Sequence, residues 1–353
     1  MGGCRTIVLC FTKKRSSMYT YFLAFLIFLQ SLTACQQMDN KSADIVVSSL
    51  AGERQEAKTI PNEAVPRLLF QSKDDGLTWE NVSAGLPADE PVACYLAKNG
   101  ELLLGFGEVL YRRHNRSAAP VWEQDRWMNG EITGIFSSRT GLFALNDGKG
   151  FVQQVTKGLW VPVFSELGRQ YFRGLFESAD GALFVGCGTG IFKSADRGKT
   201  WTQVSTDGLM LKMAEAGGVL VCTSQQGILR SADGGEHWEV VISEGGVGID
   251  VEAVNGGFVA ITYNTESETR RVRFSEDGGK TWQPIDAGLP AQASISGVRQ
   301  VGPFLVCGHP NGIMRSADRG KTWQLVLPSV GKKVFHLLVS EGVLYAVAKE
   351  SGC

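Results

Sequence analysis

The chain has no excess of charge of either sign, and it has few histidines and no cysteine pair with the spacing of a metal site. Its 35 lysines and arginines balance 36 aspartates and glutamates, for a net charge of −1. Nucleic-acid-binding proteins normally carry a basic face, so this balance argues against a nucleic-acid partner. No CxxC pair occurs, and the four histidines are scattered: His114, His237, His309 and His336. These spacings predict neither a metal site nor a cofactor.

The chain also lacks an apolar run long enough to cross a membrane as a helix. The main apolar run, residues 19–32, has 14 residues, fewer than the ~20 that a spanning helix needs. It follows basic residues 13–15 and ends in Leu32-Thr33-Ala34-Cys35, as in a bacterial lipoprotein signal peptide. We therefore predict that residues 1–34 are cleaved and that Cys35 is lipidated. An ordinary signal peptide with an incidental cysteine is the alternative, and Met18 is an alternative start.

This interpretation predicts the location of the mature protein. Gln36, not Asp, follows the lipidation site, which favours the outer membrane if the cell has two membranes. Residues 35–66 are polar and aperiodic, which indicates a flexible tether. We expect a monomer in the bacterial cell envelope whose lipid anchor is its only membrane contact.

An octapeptide repeat organises the rest of the chain. The sequence SADRGKTW occurs twice, and three looser copies share the pattern S-x-D-x-G-x-[TH]-W. The Ser, Asp, Gly and Trp residues of the five copies are Ser72, Asp74, Gly76, Trp79, Ser194, Asp196, Gly198, Trp201, Ser231, Asp233, Gly235, Trp238, Ser275, Asp277, Gly279, Trp282, Ser316, Asp318, Gly320 and Trp323. Such internal repetition is typical of propellers and solenoids.

The residue types of the repeat indicate a turn that is fixed by its own side chains. Ser and Asp accept bonds from nearby backbone N–H groups, and Gly adopts positive φ without strain. Thr and Trp then favour a new strand. Acids repeated in every unit would point to different places around a ring, so we interpret them as structural and not as catalytic or metal-binding.

The spacing of the tryptophans predicts seven units. Two further tryptophans, Trp122 and Trp160, extend the series with degenerate boxes, and the mean period of about 41 residues suits a four-stranded propeller blade. Each unit contains apolar runs for an inner, second and third strand, and the fourth begins at the Trp. The predicted inner strands are Cys94 to Ala97, Thr133 to Phe136, Phe172 to Phe176, Met210 to Ala214, Ile249 to Val254, Ile295 to Val301 and Phe335 to Val339.

The two ends of the chain complete the same blade. The last unit stops after its second strand, whereas residues 67–82 provide a third strand, a box and a fourth strand. Such closure leaves no open sheet edge. The sequence therefore predicts an all-β fold, a single seven-bladed β-propeller of four-stranded antiparallel blades over residues 67–353.

Two other clusters have structural interpretations. Cys187, Cys222 and Cys307 lie in second strands of different blades, too far apart for disulfides, so we expect small buried residues. The basic stretch Arg112 to Arg116 falls on a third strand, where a solvated outer edge is favoured over a docking patch for an acidic partner.

The boxes resemble BNR or Asp-box repeats, and the match covers residues 67–348. Such repeats occur in sialidases, xyloglucan-active hydrolases, sortilin-type receptors and photosystem II assembly-factor-like lipoproteins. In those families the boxes lie on the face away from the active or binding site. The resemblance therefore implies a site on the opposite face. Sialidases share an [FY]RIP motif that is absent here, and they have six blades, not seven.

The assembly-factor-like group matches the blade number, the single domain and the lipoprotein start. This resemblance implies a non-catalytic envelope scaffold that binds another protein. A glycan-active hydrolase is the alternative and would use paired carboxylates, with Glu131 and Asp250 as candidates beside Asp125 and Glu252. A glycan-binding module is the third possibility and would use Trp127, Tyr171 and Tyr263. The candidate binding residues for the scaffold are Arg126, Arg169, Tyr171, Arg173, Arg299 and His309.

Overall fold

A computed structural model describes residues 66–114, 121–126, 130–146, 150–168, 170–243, 246–289 and 294–350. The predicted signal peptide, most of the predicted tether and the lipidation site Cys35 lie outside the described residues. The described chain forms seven sheets of four antiparallel strands. Each sheet is one blade of a β-propeller, as the repeat predicted.

The strands occupy four positions from the centre of the ring to its edge, and blades 1 to 7 are numbered by their inner strands. The inner strands are β3 (Cys94–Lys98), β7 (Ile132–Ser138), β11 (Phe172–Glu177), β15 (Met213–Ala216), β19 (Gly246–Val254), β23 (Gly297–Val301) and β27 (Lys333–Ser340). The second strands are β4 (Glu101–Phe106), β8 (Gly141–Asn146), β12 (Leu183–Cys187), β16 (Val219–Ser224), β20 (Gly257–Asn264), β24 (Phe304–His309) and β28 (Val343–Glu350). The third strands are β5 (Val109–His114), β9 (Gly150–Thr156), β13 (Gly190–Ser194), β17 (Gly227–Ser231), β21 (Thr269–Ser275), β25 (Gly312–Ser316) and β1 (Leu69–Ser72). The outer strands are β6 (Glu123–Arg126), β10 (Leu159–Pro162), β14 (Thr202–Ser205), β18 (Glu239–Ile242), β22 (Gln283–Pro284), β26 (Gln324–Pro328) and β2 (Glu80–Asn81).

Blade 7 joins the two ends of the described chain. Its order is β27, β28, β1, β2, with Leu69 paired to Val347 and Ser72 to Leu344. β27 also lies beside β3 of blade 1. The ring is thus closed by the N-terminal strands, which confirms the predicted closure.

The core lies between blades, because each second strand is covered on both faces by its neighbours. Between blades 6 and 7, for example, Val306 and Ile313 pack with Phe335 and Leu344. Each fully buried side chain of this size contributes about 1.5–3 kcal/mol. Cys187, Cys222 and Cys307 are buried and free, as predicted, and Cys94 is buried and free as well.

Several predicted strand boundaries differ from the structure; for example, the inner strand of blade 5 starts at Gly246 and not at Ile249, and that of blade 6 at Gly297 and not at Ile295. The inner strand of blade 4 starts at Met213 and not at Met210, because the hydroxyl of Thr223 accepts the backbone N–H groups of Leu211 and Lys212 at 2.9 and 3.1 Å. A side chain therefore replaces the strand ladder there. Most outer strands start one residue after the Trp. Within the described ranges, no helix is long and apolar enough to cross a membrane.

Candidate functional site

Each intact Asp-box is a turn between the third and outer strands that is closed by its own side chains. In blade 3, the Ser194 hydroxyl donates to Asp196 (2.8 Å) and accepts the N–H of Gly198 (2.8 Å). Asp196 also accepts the N–H (2.8 Å) and the hydroxyl (2.7 Å) of Thr200. The Trp201 indole N–H donates to the Gly198 carbonyl at 3.1 Å. The other four intact boxes repeat this pattern, except that in blade 4 the ring of His237 takes the place of the Thr hydroxyl.

Hydrogen bonds hold the box carboxylates in their ionised form. Bonds from the Thr immediately before each Trp lower the pKa of Asp74, Asp196 and Asp318 to about 2. The pKa of Asp277 is lowered by Thr281, and that of Asp233 by the backbone N–H and ring of His237. A carboxylate saturated by bonds within its own turn is a poor acid, base or metal ligand.

The boxes also join neighbouring blades. Gly198 has a φ of +84°, and a Cβ there would lie 2.2 Å from the ring of Phe164. Basic residues just before a box reach the next one: Arg230 Nε donates to the Gly278 carbonyl (2.7 Å) and Arg315 Nε to that of Asp75 (2.9 Å). The boxes therefore lock the ring at the end where the inner strands finish.

The opposite end of the ring, where the inner strands begin, contains a cavity of about 260 Å³. We call it the channel-mouth cavity. Five blades line it, through residues that include Tyr95, Lys212, Asp250, Ser296, Arg299 and His336. This arrangement places the candidate site on the face away from the boxes, where the family resemblance implied it.

Arg299 binds both carboxylates of β19 that face the channel. Its Nη1 lies 2.6 Å from Asp250 Oδ2 and 3.5 Å from Glu252 Oε2. The side chains of Arg299 and Asp250 are only 14% and 5% exposed, while Glu252 is 35% exposed. Burial raises the pKa of Glu252, and Arg299 opposes this shift. Burial disfavours the Arg299 charge, but Asp250 and Glu252 reverse that effect and raise its pKa.

A neutral pair lies beside this ion cluster at the seam between blades 7 and 1. The Tyr95 hydroxyl is 2.6 Å from His336 Nδ1. Burial, followed by the charge of Lys349, lowers the pKa of His336 to about 4. Because the ring is neutral at pH 7, it accepts the Tyr95 hydroxyl at Nδ1 and carries its proton on Nε2.

Lys212 is exposed to solvent in the channel. Burial among the surrounding strands lowers the pKa of its amine, and the nearby Arg299 adds to this effect, while the charges of Asp250 and Glu252 oppose it. Because the side chain remains accessible, the loss of solvation is partial. Its ammonium is not within 4.0 Å of any carboxylate of the described residues.

The structure brings together three of the residues predicted from sequence, Asp250, Glu252 and Arg299. Tyr171 is 83% exposed immediately before β11, and Arg173 is exposed within β11. Arg126 lies at this end of the ring, but on the outer strand β6. Arg169 and the aromatic candidate Trp127 lie outside the described residues.

Other predicted residues are not at the cavity. His309 is fully buried at the end of β24, where its Nδ1 accepts the N–H of Asn311 at 3.1 Å. Asp125 is buried and accepts bonds from Gln154 (2.8 Å) and from the N–H of Gly158 (3.2 Å). Glu131 is exposed just before β7.

The basic stretch on β5 is partly neutralised within the propeller. Arg112 lies 3.0 Å from Glu101 and donates to Gln154 of blade 2 at 3.0 Å. Arg113 lies over the ring of Trp122. In the part of the chain that the structure describes, no cluster of His, Cys, Asp or Glu residues has the geometry of a metal site.

Sequence reasoning missed Lys212, Tyr95 and His336. The repeat does contain a signal for them. Near the start of each inner strand, an apolar residue is followed directly by a polar one. These pairs are Cys94-Tyr95, Ile132-Thr133, Phe172-Arg173, Leu211-Lys212, Ile249-Asp250, Ile295-Ser296 and Phe335-His336. Tyr95, Asp250 and His336 pair with their second strands, whereas Thr133 and Arg173 fall at register shifts. The pattern therefore marks the channel end of the inner strands but not one equivalent position.

Comparison with known proteins identifies the repeat and the fold. Residues 191–204 match the model of the BNR-Asp box repeat family. No curated protein sequence matches the chain. The structure of YCF48 bound to D1 peptide is similar, with a TM-score of 0.52, 15% identity and coverage of 75% of this chain and 95% of that chain.

Two other solved structures are similar to comparable extents. The extracellular domain of BT3049 from B. thetaiotaomicron, a predicted hybrid two-component system, gives a TM-score of 0.57 and 12% identity, over 81% of this chain and 41% of that chain. The Pan2 WD40 domain of Neurospora crassa gives a TM-score of 0.53 and 11% identity, over 75% of this chain and 90% of that chain. At these identities the likeness concerns the fold alone. The chain is a seven-bladed β-propeller built on BNR/Asp-box repeats, similar in structure to YCF48.

Proposed function

We propose that the protein is a non-catalytic, lipid-anchored propeller of the bacterial cell envelope that binds another protein at its channel-mouth face. The observation that supports this function best is the state of the channel carboxylates. Asp250 and Glu252 both lie within 3.5 Å of one guanidinium nitrogen of Arg299. Both carboxylates thus already have a partner within the protein, as expected of a structural ion cluster.

The surface around the cavity suits an acidic or polar protein partner. Exposed Arg173 and Tyr171 lie together at the start of β11, and Arg126 lies at the same end of the ring. Aromatic and arginine side chains are enriched where proteins bind one another. YCF48, a propeller of similar fold, is described as bound to a D1 peptide, which supports peptide or protein recognition as the kind of function.

A pull-down from envelope extracts tests this proposal. The Tyr171→Ala/Arg173→Ala variant should recover less of the bound protein than the wild type, because both side chains are exposed at the channel-mouth face. The matched control is Lys199→Ala/Lys321→Ala, which removes two exposed lysines of the boxes at the other end. Equal recovery by the channel-face variant and the wild type would remove the proposal.

Glycan hydrolysis is the second candidate, and one observation favours it. Burial raises the pKa of Glu252 beside the ion-paired Asp250, and glycosidases use one carboxyl group with a raised pKa next to an ionised one. If the protein hydrolyses a glycan of a test panel, and this activity disappears in Asp250→Asn or Glu252→Gln, the hydrolase is established. If no glycan of the panel is hydrolysed, protein binding remains the proposed function.

A further inference from the structure

The channel-mouth cavity combines an apolar wall with one uncommitted cation. Leu211, Ile249, Val334 and Leu337 line it alongside the polar residues. Its volume of about 260 Å³ is roughly eight or nine water volumes. Such a space can enclose a small molecule but not a folded segment of a partner.

The other charges of the cavity are engaged within the protein. Arg299 binds Asp250 at 2.6 Å, and Glu350 lies 3.8 Å from Lys333. Arg270 donates from Nη1 to the Ile295 carbonyl. The ammonium of Lys212 is therefore the charge that faces the cavity without an ion-pair partner in the described chain.

The neutral polar groups around Lys212 also suit an anion. With the Tyr95 hydroxyl on Nδ1 (2.6 Å), His336 keeps an N–H on Nε2, which can donate to a ligand oxygen. The Ser296 hydroxyl donates to the Phe335 carbonyl at 2.6 Å, so its proton is already used. A carboxylate could thus pair with Lys212 while its apolar tail contacts the leucines and isoleucine of the wall.

We propose that the channel-mouth cavity binds a small carboxylate with a short aliphatic tail, and that Lys212 is its ion-pair partner. This site is separate from protein binding on the surrounding face and does not depend on it. The carboxylate could come from a free aliphatic acid or from the C-terminus of a peptide. Both sources share the same chemistry, and a binding assay can distinguish them.

Titration calorimetry with purified protein and pentanoate tests the site. The wild type should bind pentanoate saturably, and the uncharged pentanamide at least about tenfold more weakly, as expected for loss of a charge-assisted hydrogen bond. Lys212→Met should weaken pentanoate binding by a similar factor, and Lys212→Arg should restore part of it. Lys199→Met, a matched change on an exposed box lysine, should leave binding unchanged.

Two further readouts make the result decisive. Because an anion beside Lys212 would raise the pKa of its amine, binding at alkaline pH should take up protons, which calorimetry in buffers of different ionisation enthalpy detects. A short peptide with a free C-terminus that displaces pentanoate, when its amidated form does not, identifies a peptide as a source. Equal binding of pentanoate and pentanamide, or unchanged binding by a folded Lys212→Met protein, overturns the proposal.

Discussion

Replacing Arg299 with methionine should destabilise the propeller more than any other single change in the channel. The substitution leaves Asp250, which is 5% exposed, and Glu252, which is 35% exposed, without their shared cation. Removing one partner of a buried ion pair costs about 3–5 kcal/mol. Since Glu252 keeps some contact with solvent, we expect the lower end, about 3 kcal/mol at pH 7.

The loss should depend on pH in a defined direction. Burial already raises the pKa of Glu252, and without Arg299 the guanidinium that opposes this rise is lost. The native state therefore binds more protons than the unfolded state as pH falls. Stability of the variant relative to wild type therefore recovers between pH 7 and pH 5. Arg299→Met/Asp250→Asn should recover part of the loss at pH 7, because one buried charge is removed.

Urea unfolding followed by tryptophan fluorescence measures these differences, with thermal melting as a second method. A loss of about 3 kcal/mol corresponds to a fall in Tm of roughly 6–10 °C for a domain of this size. Lys212→Met is the matched control and should change stability by less than about 1 kcal/mol, because its ammonium has no ion-pair partner. A loss below about 1 kcal/mol for Arg299→Met, with no pH dependence, would refute the assigned ion cluster.

Three further changes test other parts of the structure. Gly198→Ala should lower the free energy of unfolding in urea by about 2–4 kcal/mol, because the added Cβ would lie 2.2 Å from Phe164 and φ is positive. The control Gly217→Ala has a positive φ but open space around it, so the protein should lose only about 1 kcal/mol of stability. The pKa of His336 is about 4 in the folded state and 6.5 ordinarily. As pH falls, the unfolded state therefore binds the proton at a higher pH than the folded state does. Stability should fall by about 3 kcal/mol from pH 6.5 to 4, and His336→Gln should remove most of that fall in acid melts. Arg230→Met should lower stability by about 1–2 kcal/mol in urea, because the charged donor to the next box is lost; no measurable loss would show that this link between blades is unimportant.

The fold followed from the sequence because a repeat reports the same local chemistry seven times. The Ser, Asp, Gly and Trp of each box must form one turn, so their spacing predicted blade length, blade number and the closure between β1 and β28. The boundary at Met213 was not predictable from apolar pattern alone, since it depends on the Thr223 hydroxyl accepting two backbone N–H groups. Such a side-chain bond leaves no periodic signal.

The site was less predictable, because it is made by residues from different blades. Nothing in the local sequence places Arg299 against Asp250, 49 positions away; the packing of the neighbouring inner strands β19 and β23 does. His309 was expected on the site face because it follows the second strand, but its ring is buried and accepts a local backbone bond. Lys212 was passed over as one charge in an apolar strand.

The central claim is that the channel-mouth face, and not the face of the boxes, binds a protein of the envelope. Photo-crosslinking tests it most directly, with a photoreactive amino acid placed at Tyr171 (83% exposed) or, as the control, at Leu77 (53% exposed) in the box of blade 7. The proposed function predicts a discrete crosslinked envelope protein from position 171 and none from position 77. Crosslinks from position 77 alone would contradict it.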